Sequence, residues 1–225
     1  RLEKSRLAAR YFESFGVTRK KAHYWKATRI NPVYRSIDNN YGPLYLATRK
    51  FYRAKKEFLM ILRVDKNNPG ALLGLGIISL EGRDYKAAKR YFNSSLQSIG
   101  NYKRYHGIQK QISLELGKAE FGLRNYHKAE ELFLSCKKAL PLESMSYYFL
   151  GRIFEKKKEF SKAALFYKDA TRLGLATLEP LERLLKICDN LPDKNGIINY
   201  ISFRCKALKN GLSRFEKLSH KKGLW

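Results

Sequence analysis

The sequence has few of the residues that would indicate a cross-linked domain or a metal centre. It contains 3 Cys, 4 His and 2 Trp in 225 residues. The cysteines, Cys136, Cys188 and Cys205, are odd in number and far apart, and the histidines are scattered. This argues against a disulfide framework and against a zinc site. We therefore expect three free, partly buried thiols and no bound metal.

Proline and long apolar runs are also scarce. The 6 Pro leave room for long helices. The longest strongly apolar stretch, residues 72–80, contains two glycines and is too short to cross a bilayer. We expect the chain to be soluble as it stands. Because it begins with Arg1 rather than Met, we also expect a trimmed segment upstream, with room for a signal peptide or an anchor.

Acidic residues are the third shortage. There are 20 Asp and Glu against 46 Lys and Arg, which gives a formal net charge of +26. The content of apolar residues, 44%, with 13% aromatics, is too high for a disordered chain and is enough for a sizeable core. The charge predicts attraction to polyanions or to acidic protein surfaces.

A fourfold repeat organises the middle of the chain. A Gly is followed by an aromatic residue nine positions later, by an Ala three positions further on and by a second aromatic four positions after that. The instances are Gly42-Phe51-Ala54-Phe58, Gly76-Tyr85-Ala88-Phe92, Gly117-Tyr126-Ala129-Phe133 and Gly151-Phe160-Ala163-Tyr167. Each unit is typical of two amphipathic helices joined by a tight turn. The small Gly and Ala residues mark the places where helices approach closely.

This pattern resembles the tetratricopeptide repeat, whose period is about 34 residues. The first aromatics are separated by 34, 41 and 34 residues, and the likeness covers residues 36–175. It implies an all-α fold, a right-handed α-solenoid of helix-turn-helix repeats with helical flanks. Pro43 makes the first repeat irregular. The seven extra residues before the third repeat predict an extended helix or a protruding loop.

The repeat pattern divides the chain into three parts. We expect an N-terminal helical segment at 1–35, four repeats at 36–175, and a C-terminal helix pair with a basic tail at 176–225. The C-terminal pair is expected to run from about Leu178 to Asp189 and, after a turn at 191–193, to about Leu208. It is either a degenerate repeat or a cap on the stack.

The sequence contains no arrangement typical of a catalytic site. The glycines Gly70, Gly74 and Gly76 are not followed by the Gly-Lys-Ser/Thr of a phosphate-binding loop. Paired carboxylates and nucleophile–base combinations are also missing, and the acids are expected mostly on solvent faces. We therefore predict a chain that is not an enzyme, with no catalytic residues and no cofactor.

The family resemblance implies a binding groove instead. In tetratricopeptide-repeat proteins the first helices of successive repeats line a concave groove that holds a helix or an extended peptide. The corresponding positions here are Leu73, Ile77, Leu80, Leu114, Lys118, Phe121, Tyr148, Arg152 and Glu155. The two cations predict a partner with an acidic amphipathic segment. The alternative is that the chain's own N-terminal or C-terminal helix fills the groove.

A carboxylate clamp of the kind found in chaperone-binding members of the family is not expected. The corresponding positions hold Asn39, Pro43, Gly74, Gln111 and Glu115, which do not match the Lys, Asn and Arg of such a clamp.

Basic clusters give a second set of candidate contacts, to nucleic acid or to an anionic membrane surface. These candidates are Lys20, Lys21, Lys55, Lys56, Lys103, Arg104 and Lys157. Solvated helix faces are the commonest explanation of such runs.

The main interpretation is a scaffold or adaptor in a multiprotein assembly, with a composition that suggests bacterial envelope, motility or secretion machinery. The alternative is an RNA-associated subunit of a ribonucleoprotein. Stacking of terminal helices on a second copy stays open.

Overall fold

The computed structural model describes residues 42–100, 106–174 and 177–207. The predicted segment 1–35 and the basic tail lie outside these residues. The described helices are α1 Gly42–Ala47, α2 Phe51–Val64, α3 Pro69–Glu81, α4 Tyr85–Ile99, α5 His106–Gly122, α6 Tyr126–Ala139, α7 Ser144–Lys156, α8 Phe160–Arg172, α9 Glu179–Ile187 and α10 Lys194–Ala207. A 3-10 turn, Cys188–Asn190, follows α9. The predicted helix pairs are therefore present.

The chain divides into two compact units, residues 1–123 and 124–225. In the first unit, α3 packs against α2, α4 and α5. In the second, α7 packs against α6 and α8, and α8 packs against α9. The C-terminal helices share the core of the second unit, since Leu184 and Ile201 join Ala163 and Tyr167 in one buried cluster.

The Ala and second aromatic positions of the repeat form the core. Every one of these side chains has an exposed fraction of 0% or 1%. They are Ala54, Phe58, Ala88, Phe92, Ala129, Phe133, Ala163 and Tyr167. A Cβ added to Gly76 would overlap the Phe92 ring, and one added to Gly151 would lie 2.6 Å from the Tyr167 ring. The predicted close approach of the two helices is thus confirmed in these two repeats.

Contacts between repeats use two further glycines that the pattern did not single out. A Cβ on Gly74 would overlap the ring of Phe58, from the preceding repeat. A Cβ on Gly122 would overlap the ring of Tyr85, again from the repeat before. Glycine therefore sets the spacing between neighbouring repeats in the first unit as well as within them.

In each of the four repeats, the turn between the two helices contains a residue in the left-handed backbone region. These residues are Arg49, Arg83, Arg124 and Lys158, with φ between 56° and 64°. In the second repeat, the Asp84 N–H donates to the Ser79 carbonyl at 2.9 Å and the Arg83 N–H donates to the Leu80 carbonyl at 3.0 Å. This is the Schellman arrangement that commonly ends a helix, and it usually places Gly where this chain has a basic residue.

The insertion before the third repeat lengthens its first helix. α5 has 17 residues, whereas α3 and α7 have 13 each. Residues 101–105 lie outside the described part of the chain. The expectation of an extended helix is confirmed. The irregular first repeat has Pro43 in the first turn of α1, a position that proline tolerates.

Candidate functional site

The predicted groove residues of the first unit lie on two helices, α3 and α5, which contact one another. Leu73 and Leu114 are only 6% and 8% exposed, so they belong to the core. Ile77, Leu80 and Phe121 are half-buried. The apolar surface that a partner could contact therefore consists of these last three side chains rather than of a longer strip.

Lys118, the predicted groove cation of the first unit, is held by its own helix. Its Nζ lies 2.9 Å from Glu115 Oε1, and both side chains are largely buried. The carboxylate of Glu115 offsets the charge of Lys118. An acidic partner residue would have to compete with Glu115 for this cation.

In the second unit, Tyr148, Arg152 and Glu155 lie on α7. Tyr148 is 3% exposed, and the other two are half-buried. The guanidinium of Arg152 lies 5.7 Å from the centroid of the Tyr148 ring and 5.9 Å from that of Phe149. These distances are typical of cation–π contacts. The rings therefore fix the direction in which the Arg152 side chain extends.

Glu155 is the centre of a hydrogen-bonded network that joins three helices. It accepts from the hydroxyl of Tyr167 on α8, with Oη–Oε2 at 2.5 Å. It also accepts from Arg183 on α9, with Nη1–Oε1 at 3.2 Å. The hydroxyl of Tyr148 donates to Glu179 on α9. The network holds α7, α8 and α9 in a fixed relation, because each bond links side chains from different helices.

The pKa values of the network follow from burial and from its carboxylates. Burial, and then the hydrogen bond to Glu179, raises the pKa of Tyr148. Burial and the hydrogen bond to Glu155 raise the pKa of Tyr167. Burial by itself would lower the pKa of Arg183, but Glu155 raises it above its ordinary value. At neutral pH both tyrosines are therefore protonated donors, and Arg183 is a cation.

Glu179 and Arg183 were not among the residues that the sequence pattern assigned to this surface. Their signal was present, because α9 has charged residues on one face and Leu181, Leu184 and Leu185 on the other. Reading the C-terminal helix pair as a further repeat would have placed α9 beside α7. The sequence left open whether this pair is a degenerate repeat or a cap, and the predicted groove residues come from three helices before it.

The candidate polyanion contacts fall into different settings. Lys55 and Lys56 are exposed neighbours on α2. Lys157 lies in the second unit, where its Nζ is 2.6 Å from Glu130 Oε2. Its charge is therefore matched locally. Lys20, Lys21, Lys103 and Arg104 lie outside the described residues.

The three cysteines are free and buried, as expected. Burial, and to a lesser degree the nearby Glu143, raises the pKa of Cys136 to about 11. Burial also raises the pKa of Cys205. Both thiols are thus protonated and unreactive at neutral pH.

Within the parts of the chain that the structure describes, no group of His, Cys, Asp and Glu could hold a metal ion. In those same parts, no helix is long and apolar enough to cross a membrane.

The raised pKa of Cys136 predicts a loss of stability in alkali. The folded protein keeps this proton up to about pH 11, whereas the unfolded chain releases it earlier. Over that interval the folded state binds more protons, so the free energy of unfolding falls as the pH rises. Urea unfolding at pH 8 to 11 should show this fall, and Cys136→Ala should make it shallower. An equally steep fall in Cys136→Ala would contradict the assignment.

Comparison with known proteins agrees with the repeat architecture. Residues 114–174 match the family model described as tetratricopeptide repeat. A human protein O-mannosyl-transferase is 27% identical over 151 residues, 67% of this chain and 16% of the relative. A tetratricopeptide-repeat-containing protein of Methanocaldococcus jannaschii is 25% identical over 138 residues, 61% of this chain and 23% of the relative. The chain thus spans less than a quarter of the length of either relative.

Solved structures with the same fold cover most of the chain. PilF of Pseudomonas aeruginosa superimposes with a TM-score of 0.68, at 15% identity over 96% of both chains. PilW, described as a widely conserved type IV pilus biogenesis factor, gives 0.65, at 15% identity over 94% of this chain and 96% of its own. YrrB, described as having an unusual peptide-binding site, gives 0.59, at 14% identity over 86% and 97%. The predicted all-α solenoid of tetratricopeptide-like repeats is confirmed.

Proposed function

We propose that this chain of tetratricopeptide-like repeats is a non-catalytic scaffold or adaptor that holds another protein on its inner helices, which are the first helices of the repeats, α3, α5 and α7. The observation that carries the proposal is the half-buried apolar surface of Ile77, Leu80 and Phe121 on the contacting helices α3 and α5. A helix or an extended segment with apolar residues at matching spacing would bury this surface. The second unit offers a separate surface on α7, at Tyr148, Arg152 and Glu155.

The proposed partner segment is amphipathic and acidic. On the first unit, its apolar residues would cover Ile77, Leu80 and Phe121 and its carboxylates would lie near Lys118. On the second unit, considered separately, a carboxylate would lie near Arg152. The formal charge of +26 supports this choice, because it speeds the encounter with an acidic partner and disfavours a basic one. The peptide-binding site described for YrrB supports a peptide segment as the partner.

The assembly that this partner belongs to is proposed to lie in a bacterial cell envelope. The support is the likeness to PilW, a type IV pilus biogenesis factor, and to PilF, each over more than nine-tenths of this chain. A scaffold of this kind needs no catalytic group, because its contribution is to hold two or more proteins together.

A pull-down from the native source tests the proposed surface. The variant Ile77→Glu with Leu80→Glu places two charges on the inner surface and should lose the partner. The matched control is Leu134→Glu with Leu165→Glu, at leucines that are 43% and 56% exposed. They lie on α6 and α8, which are outer helices, that is, second helices of their repeats. Nuclease treatment before capture removes proteins that are bridged by nucleic acid. Circular dichroism and thermal unfolding check that both variants fold.

Two results decide the matter. Proteins that the wild type and the control retain, but the inner-surface variant loses, support the groove. Lys118→Glu with Arg152→Glu should then weaken the same capture if the partner is acidic. Capture that is unchanged in the inner-surface variant would overturn the proposed binding surface.

A further inference from the structure

The outer helices of the first unit, α2 and α4, expose cations and no carboxylate. The single acid of α2, Glu57, is only 3% exposed, and α4 contains neither Asp nor Glu. The other exposed acids in the described part of this unit lie at helix ends and already have partners. Asp65 accepts from the Asn67 N–H, Asp84 accepts from the Ala87 N–H, and Glu81 pairs with Arg49. Among the described residues, no neighbouring exposed acid therefore offsets the positive charge on the outer faces of α2 and α4.

On α2 the exposed residues share one face with an aromatic ring. Tyr52, Lys56, Leu59 and Arg63 follow one another at intervals of three or four residues, the spacing that aligns side chains along a helix. Lys55 lies beside them. The Tyr52 side chain is 83% exposed and Leu59 is 42% exposed. The core residue Phe58 lies on the opposite face, so this surface contributes little to folding.

The exposed residues of α4 are also basic or polar. Lys86 and Arg90 are exposed one turn apart, and the next exposed residues are Asn93, Ser94 and Gln97. Both helices pack on α3, which keeps their axes within about 20 Å of each other. The exposed residues of these two helices thus combine cations, amides and hydroxyls with one exposed aromatic ring.

The outer helices of the second unit differ. There several cations lie next to acids, within α6 and α8 or at the ends of the neighbouring helices. The pairs are Lys157–Glu130, Lys162–Glu159 and Arg172–Asp169, with N–O distances from 2.6 to 3.7 Å. The exposed positive charge is therefore distributed unevenly between the helices. Among the described residues, the outer faces of α2 and α4 have cations without acids beside them, whereas several cations on or near α6 and α8 form ion pairs.

We propose that the outer face of α2 and α4 binds single-stranded nucleic acid. Lys55, Lys56 and Arg63 contact phosphates, and the Tyr52 ring stacks on one base. The amides and hydroxyls of α4 hydrogen-bond to sugar or phosphate oxygens. This surface is distinct from the inner helices that hold the protein partner, so the chain can bind both at once.

A nucleic acid fits this face better than a membrane does. Insertion into a lipid interface needs a row of apolar side chains, but only Tyr52 and Leu59 are available. Asn93, Ser94 and Gln97 would lose their hydration there without gaining partners. A hydrated phosphate backbone satisfies these side chains and the cations together.

The test is fluorescence anisotropy of a labelled oligouridine with the full chain across a salt series. The variant Lys55→Gln with Lys56→Gln and Arg63→Gln removes three phosphate contacts. The slope of log K against log salt should become shallower by about two, since each contact with a single strand contributes about 0.7. Tyr52→Ala should weaken binding by about 5- to 100-fold through loss of stacking, and Tyr52→Phe should not.

A matched control removes the same charge from the second unit. Arg124, Lys138 and Lys156 are exposed there, and changing all three to Gln should leave the affinity for oligouridine nearly unchanged. The inner-surface variant Ile77→Glu with Leu80→Glu should also bind oligouridine normally. That result would show that nucleic acid and the protein partner bind to different surfaces. One proposal can then be wrong while the other remains correct.

Three results would overturn the proposal. The first is equal weakening in the two triple variants, which would mean that net charge alone attracts the nucleic acid. The second is no binding of oligouridine at low salt. The third is sedimentation with phosphatidylserine vesicles that depends on Tyr52 while oligouridine binding does not, which would assign the face to a membrane instead.

Discussion

Phe92→Ala is expected to lower the free energy of unfolding by about 3–5 kcal/mol. The Phe92 ring is fully buried and lies over Gly76, where a Cβ would overlap it. Because Gly76 has no side chain, it cannot fill the space that Ala would leave. The cavity term therefore adds to the lost burial, which is the situation in which large-to-small substitutions cost most.

The control for this experiment is Tyr52→Ala. It also removes an aromatic ring from the first unit, but the side chain is 83% exposed, so stability should change by less than about 0.5 kcal/mol. Urea unfolding followed by circular dichroism measures both variants. If Phe92→Ala and Tyr52→Ala differ by less than about 1 kcal/mol, the assignment of Phe92 as a core residue is wrong.

Lys89→Met is expected to cost about 3 kcal/mol because it removes one partner of a buried ion pair in the first unit. Glu120 on α5 is fully buried, and its Oε1 lies 2.9 Å from the Nζ of Lys89 on α4. An ionised carboxylate without its cation is strongly disfavoured in such a place. The double variant Lys89→Met with Glu120→Leu removes both charges and should recover much of the lost stability.

The comparison for this pair is an ion pair on the surface. Lys162 and Glu159 lie 2.6 Å apart, with side chains 63% and 38% exposed. Lys162→Met should change the free energy of unfolding by less than about 1 kcal/mol, since water screens the exposed pair. Equal effects of Lys89→Met and Lys162→Met in the same urea titration would show that the buried pair does not stabilise the fold.

The repeat pattern predicted the core well because close packing selects residues by size. Ala88 and Phe92 could be assigned from spacing alone, since only a small residue and a large ring fit that contact. Gly74 and Gly122 were missed because each meets a ring from another repeat, and a pattern counted within one repeat does not include that contact. Glu120 was missed for a similar reason. Its burial depends on Lys89 of a different helix, whereas the acids were expected mostly on solvent faces.

The candidate binding surface was only partly predictable. The resemblance to the family assigns Leu73 and Leu114 to the groove, but packing between helices buries both side chains. Lys118 was predicted to contact an acidic residue of the partner, but it already forms an ion pair with Glu115 on its own helix. The network around Glu155 requires α9 beside α7, and the charged face of α9 does not by itself identify the helix that it contacts. Sequence thus assigns residues to helix faces, and tertiary contacts decide which of them remain accessible.

The left-handed turn residues have a consequence for how copies of the chain meet. A non-glycine residue in this conformation costs about 1 kcal/mol or more, and the chain has one in each of four turns. In return, each turn presents a cation where Gly would present none. Arg83, Arg124 and Lys158 are all exposed at these tips. Two copies that approach with these tips facing would repel each other, so the turns oppose self-association along this edge of each unit.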